Sequence, residues 1–293
     1  MQTSSPSVLR SLMQQYEIYP KKRWGQNFLI DGNILENIAL SSGANPDLYT
    51  VEIGPGLGAL TQLLAKKSRG VLAIDIDKSL ERPLQQVLAP YHNVQLHFAD
   101  ILDVDLEAEL VQRFDLAQVP EYVVCANIPY NITSPIIFQL LENCPHMQKA
   151  TLMMQKEVAE RIIAQPGSKD YGLLTLMTHY YADTRWLMKV SRNCFYPRPE
   201  VDSAVIQFTP LPQPRLQVQN EEVFKAFLRS AFQMRRKTIL NSSSLFFQVN
   251  KTQAQQQLET IGIKPNQRPE ELSLEQLADL VNQFLGGRSN AVY

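Results

Sequence analysis

The chain has 293 residues, of which 44% are hydrophobic and 19% charged, and a formal net charge of −1. That composition excludes a disordered chain, and no apolar run nears the ~20 residues that span a bilayer, which excludes a helical membrane protein. Near-neutral charge also excludes a protein that coats nucleic acid through bulk positive charge, so any nucleic-acid contact must use local patches.

The length predicts one large domain and one smaller one. Met1 to Gln15 carries only Arg10 as a cation and has no apolar core segment, which argues against a secretory signal and for a cytoplasmic protein. From Asp47 to about Leu141, short β-branched runs alternate with helical patterns, the signature of βαβ units and a parallel sheet. The runs are Tyr49 to Ile53, Gly70 to Ile74, Val94 to Phe98 and Tyr122 to Ala126. Between them, Leu60, Leu63 and Leu64, then Leu80, Leu84, Val87 and Leu88, have the spacing of helices laid on the sheet. Thr151 to Met154, Arg185 to Val190 and Ala204 to Phe208 predict further strands, with helices over Lys156 to Ala164 and Leu173 to Tyr181. The fold class is therefore α/β, a doubly wound, Rossmann-like sheet. Thr209 to Gln219 holds Pro210, Pro212 and Pro214 and reads as an interdomain linker, because prolines at that density extend a chain and remove ladder donors. Beyond it the pattern is all helical: Val223, Phe224, Phe227, Leu228, Ala231 and Phe232 repeat at helix spacing behind an Asn220 cap, and a last helix starts at a Ser273/Gln276 capping box and stops near Gly286. The expected domains are 1–210, with an N-terminal covering segment, and a helical domain over 211–293.

Cys125, Cys144 and Cys194 are few, odd in number and far apart, which argues against a disulfide framework and a zinc site. His92, His97, His146 and His179 show neither an HExxH arrangement nor a Cys partner at ligand spacing, and no metal is expected.

Val51-Glu52-Ile53-Gly54-Pro55-Gly56-Leu57-Gly58 ends a predicted strand ahead of a helix. Glycines there let backbone approach a ligand and open a helix N-terminus toward it. Gly54, Gly56 and Ala59 also satisfy a dinucleotide-binding pattern, so the loop alone leaves the ligand open. A carboxylate about 20 residues on would chelate ribose hydroxyls, and Asp75 ends the next strand, with Asp77 as the competing candidate. Asp100 closes the third strand and could accept from an adenine amino group; as an acid after a strand it could equally be a cap. Asn127-Ile128-Pro129-Tyr130-Asn131 follows the fourth strand. The exocyclic amine of adenine is a poor nucleophile because its lone pair is delocalised into the ring. Accepting its hydrogens on the Asn127 amide oxygen and a backbone carbonyl draws the nitrogen toward tetrahedral geometry and frees the pair. Pro129 fixes φ and biases Ile128 toward an extended conformation that aims that carbonyl, and Tyr130 offers a ring on which a flipped base can stack.

With these motifs in this order the chain resembles the small-subunit branch of the ribosomal RNA adenine dimethylase family. The resemblance covers nearly the whole chain: Lys22-Arg23-Trp24-Gly25-Gln26-Asn27-Phe28-Leu29, the Glu52 to Gly58 loop, Asp75, Asp100, Asn127 to Tyr130, Gln155-Lys156-Glu157, Phe195 to Ala204, and Arg235-Arg236-Lys237-Thr238. Two positions depart: Asp75 stands where relatives often have Glu, and Glu200 where they often have Lys. The resemblance implies an S-adenosyl-L-methionine-dependent enzyme that dimethylates N6 of two adjacent adenosines near the 3′ end of small-subunit ribosomal RNA during ribosome biogenesis. It implies that Asn27 and Leu29 cover the methionine end of the cofactor, that Glu52, Gly54 and Gly56 hold it with Gly54 at its amino group, and that Asp75 takes the ribose and Asp100 the adenine. It further implies that Phe195 closes the pocket on the base face opposite Tyr130, although the residue could equally be core.

The basic runs Lys21-Lys22-Arg23 and Arg235-Arg236-Lys237 become candidate phosphate contacts. Lys225, Arg229 and Arg236, at offsets of four and eleven, would share one stripe if a helix ran through all three. Lys22, Arg23, Arg229, Arg235, Arg236 and Lys237 are thus the expected RNA contacts, in a monomer whose partner is ribosomal RNA within the small subunit and which needs neither membrane nor metal. Three other readings compete: a large-subunit adenine dimethylase that confers antibiotic resistance, a non-enzymatic assembly or transcription factor on the same fold, and an NAD dehydrogenase.

Overall fold

The computed structural model describes every residue except 1, 2, 4, 22, 23, 235 and 287–293. In chain order, α1 (Pro6–Gln15), β1 (Phe28–Leu29) and α2 (Gly32–Ser41) precede the alternating region. Next come β2 (Tyr49–Ile53), α3 (Ala59–Ala65), β3 (Gly70–Asp75), α4 (Glu81–Leu88), β4 (Val94–Phe98), α5 (Leu106–Phe114), β5 (Tyr122–Asn127), α6 (Thr133–Asn143), β6 (Met147–Gln155) and α7 (Lys156–Ile162). The chain continues through α8 (Leu173–Tyr181), β7 (Ala182–Val190), β8 (Phe195–Tyr196) and β9 (Ser203–Pro210). It ends in α9 (Glu221–Gln233), α10 (Ile239–Phe247), α11 (Lys251–Thr260) and α12 (Leu274–Gly286).

Among the described residues, seven strands form one sheet in the order β4-β3-β2-β5-β6-β9-β7. The pairs β4/β3, β3/β2, β2/β5 and β5/β6 are parallel and β6/β9 is antiparallel. Strands β2 and β5 bury nearly every side chain, as expected when helices cover both faces of a parallel sheet. From β2 the chain fills the sheet outward to β3 and β4, then returns to the other side of β2 at β5. This reversal opens a crevice beyond the carboxyl ends of β2 and β5, where open α/β sheets bind ligands.

Local chemistry explains the helix starts. Asp31 caps α2 by accepting from the amides of Asn33 (3.0 Å) and Ile34 (3.1 Å), and Asn220 caps α9 by accepting from Val223 N (3.0 Å). At α12 the capping box forms both ways: Ser273 N donates to Gln276 Oε1 (2.9 Å), and Gln276 N donates to Ser273 Oγ (3.3 Å). Helix α1 has Pro6 in its first turn and buries Leu9, Leu12 and Met13, at helix spacing.

The chain divides into two compact units: the described residues of Met1–Ala159 with Asp183–Pro210, and those of Glu160–Ala182 with Leu211–Tyr293. The expected boundary at 210 therefore has one exception, since residues 160–182 belong with the C-terminal helices. The reason is apolar contact: Tyr180 of α8 lies against Phe224 of α9 with ring centroids 5.2 Å apart, and Tyr171 against Phe232 at 6.3 Å. The same unit is filled by Phe227, Phe247 and Phe284 in succession, with centroid separations of 5.4 and 4.6 Å.

The proline-rich segment is not a free linker. Leu211 N donates to Tyr181 O (2.8 Å), Arg215 N to Tyr180 O (2.8 Å) and Arg215 Nε to His179 O (2.8 Å). The last carbonyls of a helix have no partner within it, and this segment supplies three.

The basic stripe does not form. Helix α9 ends at Gln233, so Arg236 lies beyond it, and Lys225 is buried with its ammonium 2.5 Å from Glu222 and 3.8 Å from Glu221. Among the described residues no helix is long and apolar enough to cross a membrane.

Candidate active site

The glycine loop turns off β2 at the crevice. Gly54 and Gly56 both have positive φ (73° and 57°), where a side chain strains the backbone. A Cβ on Gly54 would sit 3.3 Å from the Asn127 carbonyl, and one on Gly56 would sit 3.0 Å from the Phe28 ring. The loop is therefore pressed between the end of β5 and the N-terminal segment, with no room for side chains.

Two adjoining pockets open here, both within the first unit. The first is lined by Asn27, Leu29, Glu52, Gly54, Gly56, Asp75, Asn127, Pro129 and Tyr130, all expected from the sequence, and also by Leu9, Trp24, Ile76 and Met153, which were not. The second carries Asp75 and Asp100 between the apolar walls of Ile76, Ile101, Pro129 and Ile132. Ile76 is 43% exposed. The available sequence signal was an isoleucine set between Asp75 and Asp77 just past the end of β3, where an apolar side chain can face a flat ligand group.

The two candidate ribose acids are in different situations. Asp77 is 1% exposed and fully engaged: Lys21 Nζ (2.7 Å), Gln26 Nε2 (2.8 Å), Ser79 Oγ (2.6 Å) and Ser79 N (3.0 Å) all donate to it. Burial works against its charge, but the donors, led by Lys21, hold its carboxyl below the usual carboxylate range. Asp75 lines both pockets and accepts from the Asp77 amide (2.8 Å). Burial pushes its pKa up to about 6, while the amides of Asp77, Gly56 and Ile76 pull the other way.

Asp100 caps the short turn after β4, with Oδ1 accepting from Leu102 N at 3.0 Å. The cap and the pocket position coexist, since a carboxylate has a second oxygen.

Glu52 is 1% exposed within β2, and among the described residues its Oε2 has no hydrogen-bond partner. Burial, opposed by the nearby Thr61 hydroxyl and reinforced by Asp75, pushes its pKa up to about 8. A buried, unsatisfied carboxyl oxygen on a pocket wall is costly unless a donor meets it there.

Asn127 ends β5. Its Nδ2 donates to the Asn27 carbonyl (3.1 Å), which can only accept, so the amide orientation is fixed and Oδ1 faces away. Among the described residues Oδ1 has no partner. In the loop that follows, Ile128 N is tied to Met153 O (3.0 Å), and the Pro129 carbonyl is occupied by Ile132 N (3.2 Å) and Thr133 Oγ1 (3.3 Å). The Ile128 carbonyl has no partner among the described residues and remains as a second acceptor. The Tyr130 hydroxyl is 2.9 Å from Ser203 Oγ at the start of β9. Ser203 thus steadies the ring, a contribution legible beforehand only as membership of the Phe195 to Ala204 motif.

Phe195 does not join the pocket lining. It is 3% exposed, paired with Leu29 across β1/β8, and packed with Leu35, Ile38 and Met153 in the core. Of the expected RNA contacts, Lys22, Arg23 and Arg235 lie outside the described residues, while Arg229, Arg236 and Lys237 are exposed in the second unit. Among the described residues no group of three or more His, Cys, Asp or Glu is placed to hold a metal.

A family model described as ribosomal RNA adenine dimethylase matches residues 19–285. The ribosomal RNA small subunit methyltransferase A of Geobacillus thermodenitrificans is 40% identical over 285 residues, covering 96% of this chain and 97% of that one. Among solved structures, a dimethyladenosine transferase from Plasmodium falciparum aligns with a TM-score of 0.72 at 25% identity, covering 87% of this chain and 96% of that one. The 23S rRNA methyltransferase ErmE aligns with a TM-score of 0.65 at 28% identity, covering 88% and 99%.

Proposed function

The chain belongs to the ribosomal RNA adenine dimethylase family, and from that premise we propose that it transfers methyl groups from S-adenosyl-L-methionine to N6 of two adjacent adenosines near the 3′ end of small-subunit ribosomal RNA. The observation that carries the reading is the Asn127 amide, held by the Asn27 carbonyl with its oxygen unclaimed at the pocket where the glycine loop and Asp75 meet.

The residues present fit the cofactor. Glu52 offers a buried orphan oxygen to a cationic amino end, Gly54 and Gly56 leave space that side chains would fill, and Asp75 offers a carboxylate to ribose hydroxyls. Asn27 and Leu29 cover the methionine end, and Asp100 with the Ile76 and Ile101 walls suits an adenine ring. When bound, the cofactor supplies a methyl group on a sulfonium whose thioether leaving group needs no proton.

The chain's own work is on the acceptor. In the first transfer Asn127 Oδ1 and the Ile128 carbonyl accept the two N6 hydrogens, and in the second one of them accepts the hydrogen that remains; each time the lone pair is localised on nitrogen, and Tyr130 stacks on the base. The proton displaced from N6 passes to water, so no general base is required and catalysis is positioning and hydrogen-bond activation. Arg229, Arg236 and Lys237, with Lys22, Arg23 and Arg235, contact phosphate. We take the enzyme to be a metal-free cytoplasmic monomer acting on RNA within the small subunit.

The test is incubation with labelled cofactor and undermethylated small or large subunits, followed by nucleoside analysis. Dimethyladenosine in small-subunit RNA is expected. Label only in the large-subunit RNA would assign the chain to the resistance branch, and label in neither would refute the activity.

A further inference from the structure

Asp77 has no place in the chemistry above, yet it is buried with four donors on it, two of them from the N-terminal segment. Lys21 Nζ bridges Asp77 Oδ1 (2.7 Å) and Ser79 Oγ (2.9 Å), and Gln26 Nε2 reaches Asp77 Oδ2 (2.8 Å). The two donors are themselves joined, Lys21 N to Gln26 Oε1 at 2.9 Å, and the Lys21 ammonium lies over the Trp24 ring at 4.5 Å. Lys21 and Gln26 lie on either side of Trp24 and Gly25 in the chain, so the carboxylate ties down the short arch of residues 24–27. The arch is part of the wall of the methyl-transfer pocket, because Trp24, Gln26 and Asn27 all line it. A Cβ on Gly25 would lie 3.7 Å from the Tyr130 amide and 3.9 Å from Pro129 Cβ. At the end of the arch, the Asn27 carbonyl receives the Asn127 amide.

We propose that Asp77 is a positioning residue of the methyl-transfer site: through Lys21 and Gln26 it clamps residues 24–27 over the pocket, and through the Asn27 carbonyl it sets the orientation of the Asn127 amide. The inference rests on the function assigned above. Its physical basis is that a buried carboxylate must be paired, and two long polar side chains pair best with it in a single arrangement, so the arch they belong to is held in one place. If the clamp opens, the Asn127 NH2 loses its acceptor and the amide can rotate, presenting a donor where adenine also presents donors. The clamp also touches the cofactor side, since the Asp77 amide donates to Asp75 Oδ1 at 2.8 Å.

The experiment uses the full chain with Trp186→Phe, which leaves Trp24 as the single tryptophan of the two in the sequence. In that background Asp77→Asn and Lys21→Met are compared for acrylamide quenching of Trp24 and for kcat and KM with small subunits at saturating cofactor. Opening the clamp should raise Trp24 quenching and lower kcat, by roughly 100-fold for a displacement of about 1 Å at the reacting groups, with KM for the subunit little changed. Because both variants open one clamp, the double variant should be no slower than Asp77→Asn alone. Lys21→Arg should restore both readouts. Lys21 is partly exposed, so Lys21→Met carries the test if Asp77→Asn does not fold. Unchanged kcat and quenching would overturn the clamp. So would a rise in KM alone, which would make Lys21 a phosphate contact, and so would strictly additive losses. The chain with only Trp186→Phe is the control: no methyl transfer there refutes the underlying function, whereas transfer there with unaffected variants refutes the clamp alone.

Discussion

Replacing Asp75 by Asn should separate ribose recognition from folding and reveal a proton in cofactor binding. Asp75 faces both pockets, and a carboxylate there can accept from two ribose hydroxyls where an amide oxygen accepts less strongly. Hydrogen bonds to a charged group contribute about 1.5–3 kcal/mol, so Asp75→Asn should weaken S-adenosyl-L-methionine binding roughly 10- to 150-fold. Burial also raises the Asp75 pKa to about 6 in the free protein. If ribose hydroxyls are recognised by the ionised form, the Asp75 contribution to affinity should fall as pH drops through that value, approaching ~10-fold per pH unit. The substituted protein should lose that limb, which lies below the Glu52 titration near pH 8. Isothermal titration calorimetry from pH 5 to pH 8 measures both effects. An unchanged dissociation constant in Asp75→Asn, or an acid limb that persists in it, would refute the assignment. A loss seen only with Asp77→Asn would move the ribose contact to Asp77.

Four further outcomes follow from the same geometry. Asn127→Ala should leave folding and cofactor affinity nearly intact while methyl transfer falls by at least ~100-fold, as when an interaction made mainly in the transition state is removed; a parallel collapse of cofactor affinity would contradict the role. Burial raises the Glu52 pKa to about 8 from the ordinary 4.5 of an exposed glutamate, so it binds more protons folded than unfolded, and its contribution to stability is full below 4.5 and is lost as pH rises through 8. Glu52→Gln should therefore flatten the fall in unfolding free energy across that window, where one group contributes up to ~1.4 kcal/mol per pH unit, and denaturant melts at successive pH values would show identical slopes if the reasoning fails. Gly56→Ala places a Cβ 3.0 Å from the Phe28 ring at positive φ; it should cost about 1–3 kcal/mol of stability and weaken cofactor binding, and a neutral effect on both would refute the tight approach. Changing Arg236 and Lys237 to Ala should reduce the slope of subunit affinity against log salt by ~0.7–0.9 per lost contact without altering cofactor affinity, and parallel slopes would show that these side chains are merely solvated.

Much that depends on neighbours in the chain was legible in the sequence, although the short helices α2, α5 and α6 and the Asp31 and Asp105 caps were not read from it. The strands β2, β3, β4 and β5 were carried by their own β-branched runs. The caps at Asn220 and Ser273 needed only a residue and an amide three positions on. The glycine loop, the strand-end acids and the Asn127 motif could be placed at one crevice because parallel βαβ units put every strand's carboxyl end on the same side. What the sequence left open were choices between residues with similar local claims, and these were decided by partners far along the chain. Asp75 ends β3 and Asp77 lies two residues on, but Lys21, 56 residues away, engages Asp77. Phe195 fits core and pocket equally in one dimension, and in the structure it is buried among Leu35, Ile38 and Val205 in the core. Residues 160–182 have a helical pattern that suits either unit, and Tyr180 against Phe224 decides which. The orientation of the Asn127 amide, on which the proposed chemistry depends, is set by a carbonyl 100 residues earlier. Periodicity and capping are short-range, so a sequence can state them. Which acid is paired, which ring is buried and which way an amide turns depend on donors, acceptors and apolar surface that only the folded chain brings together.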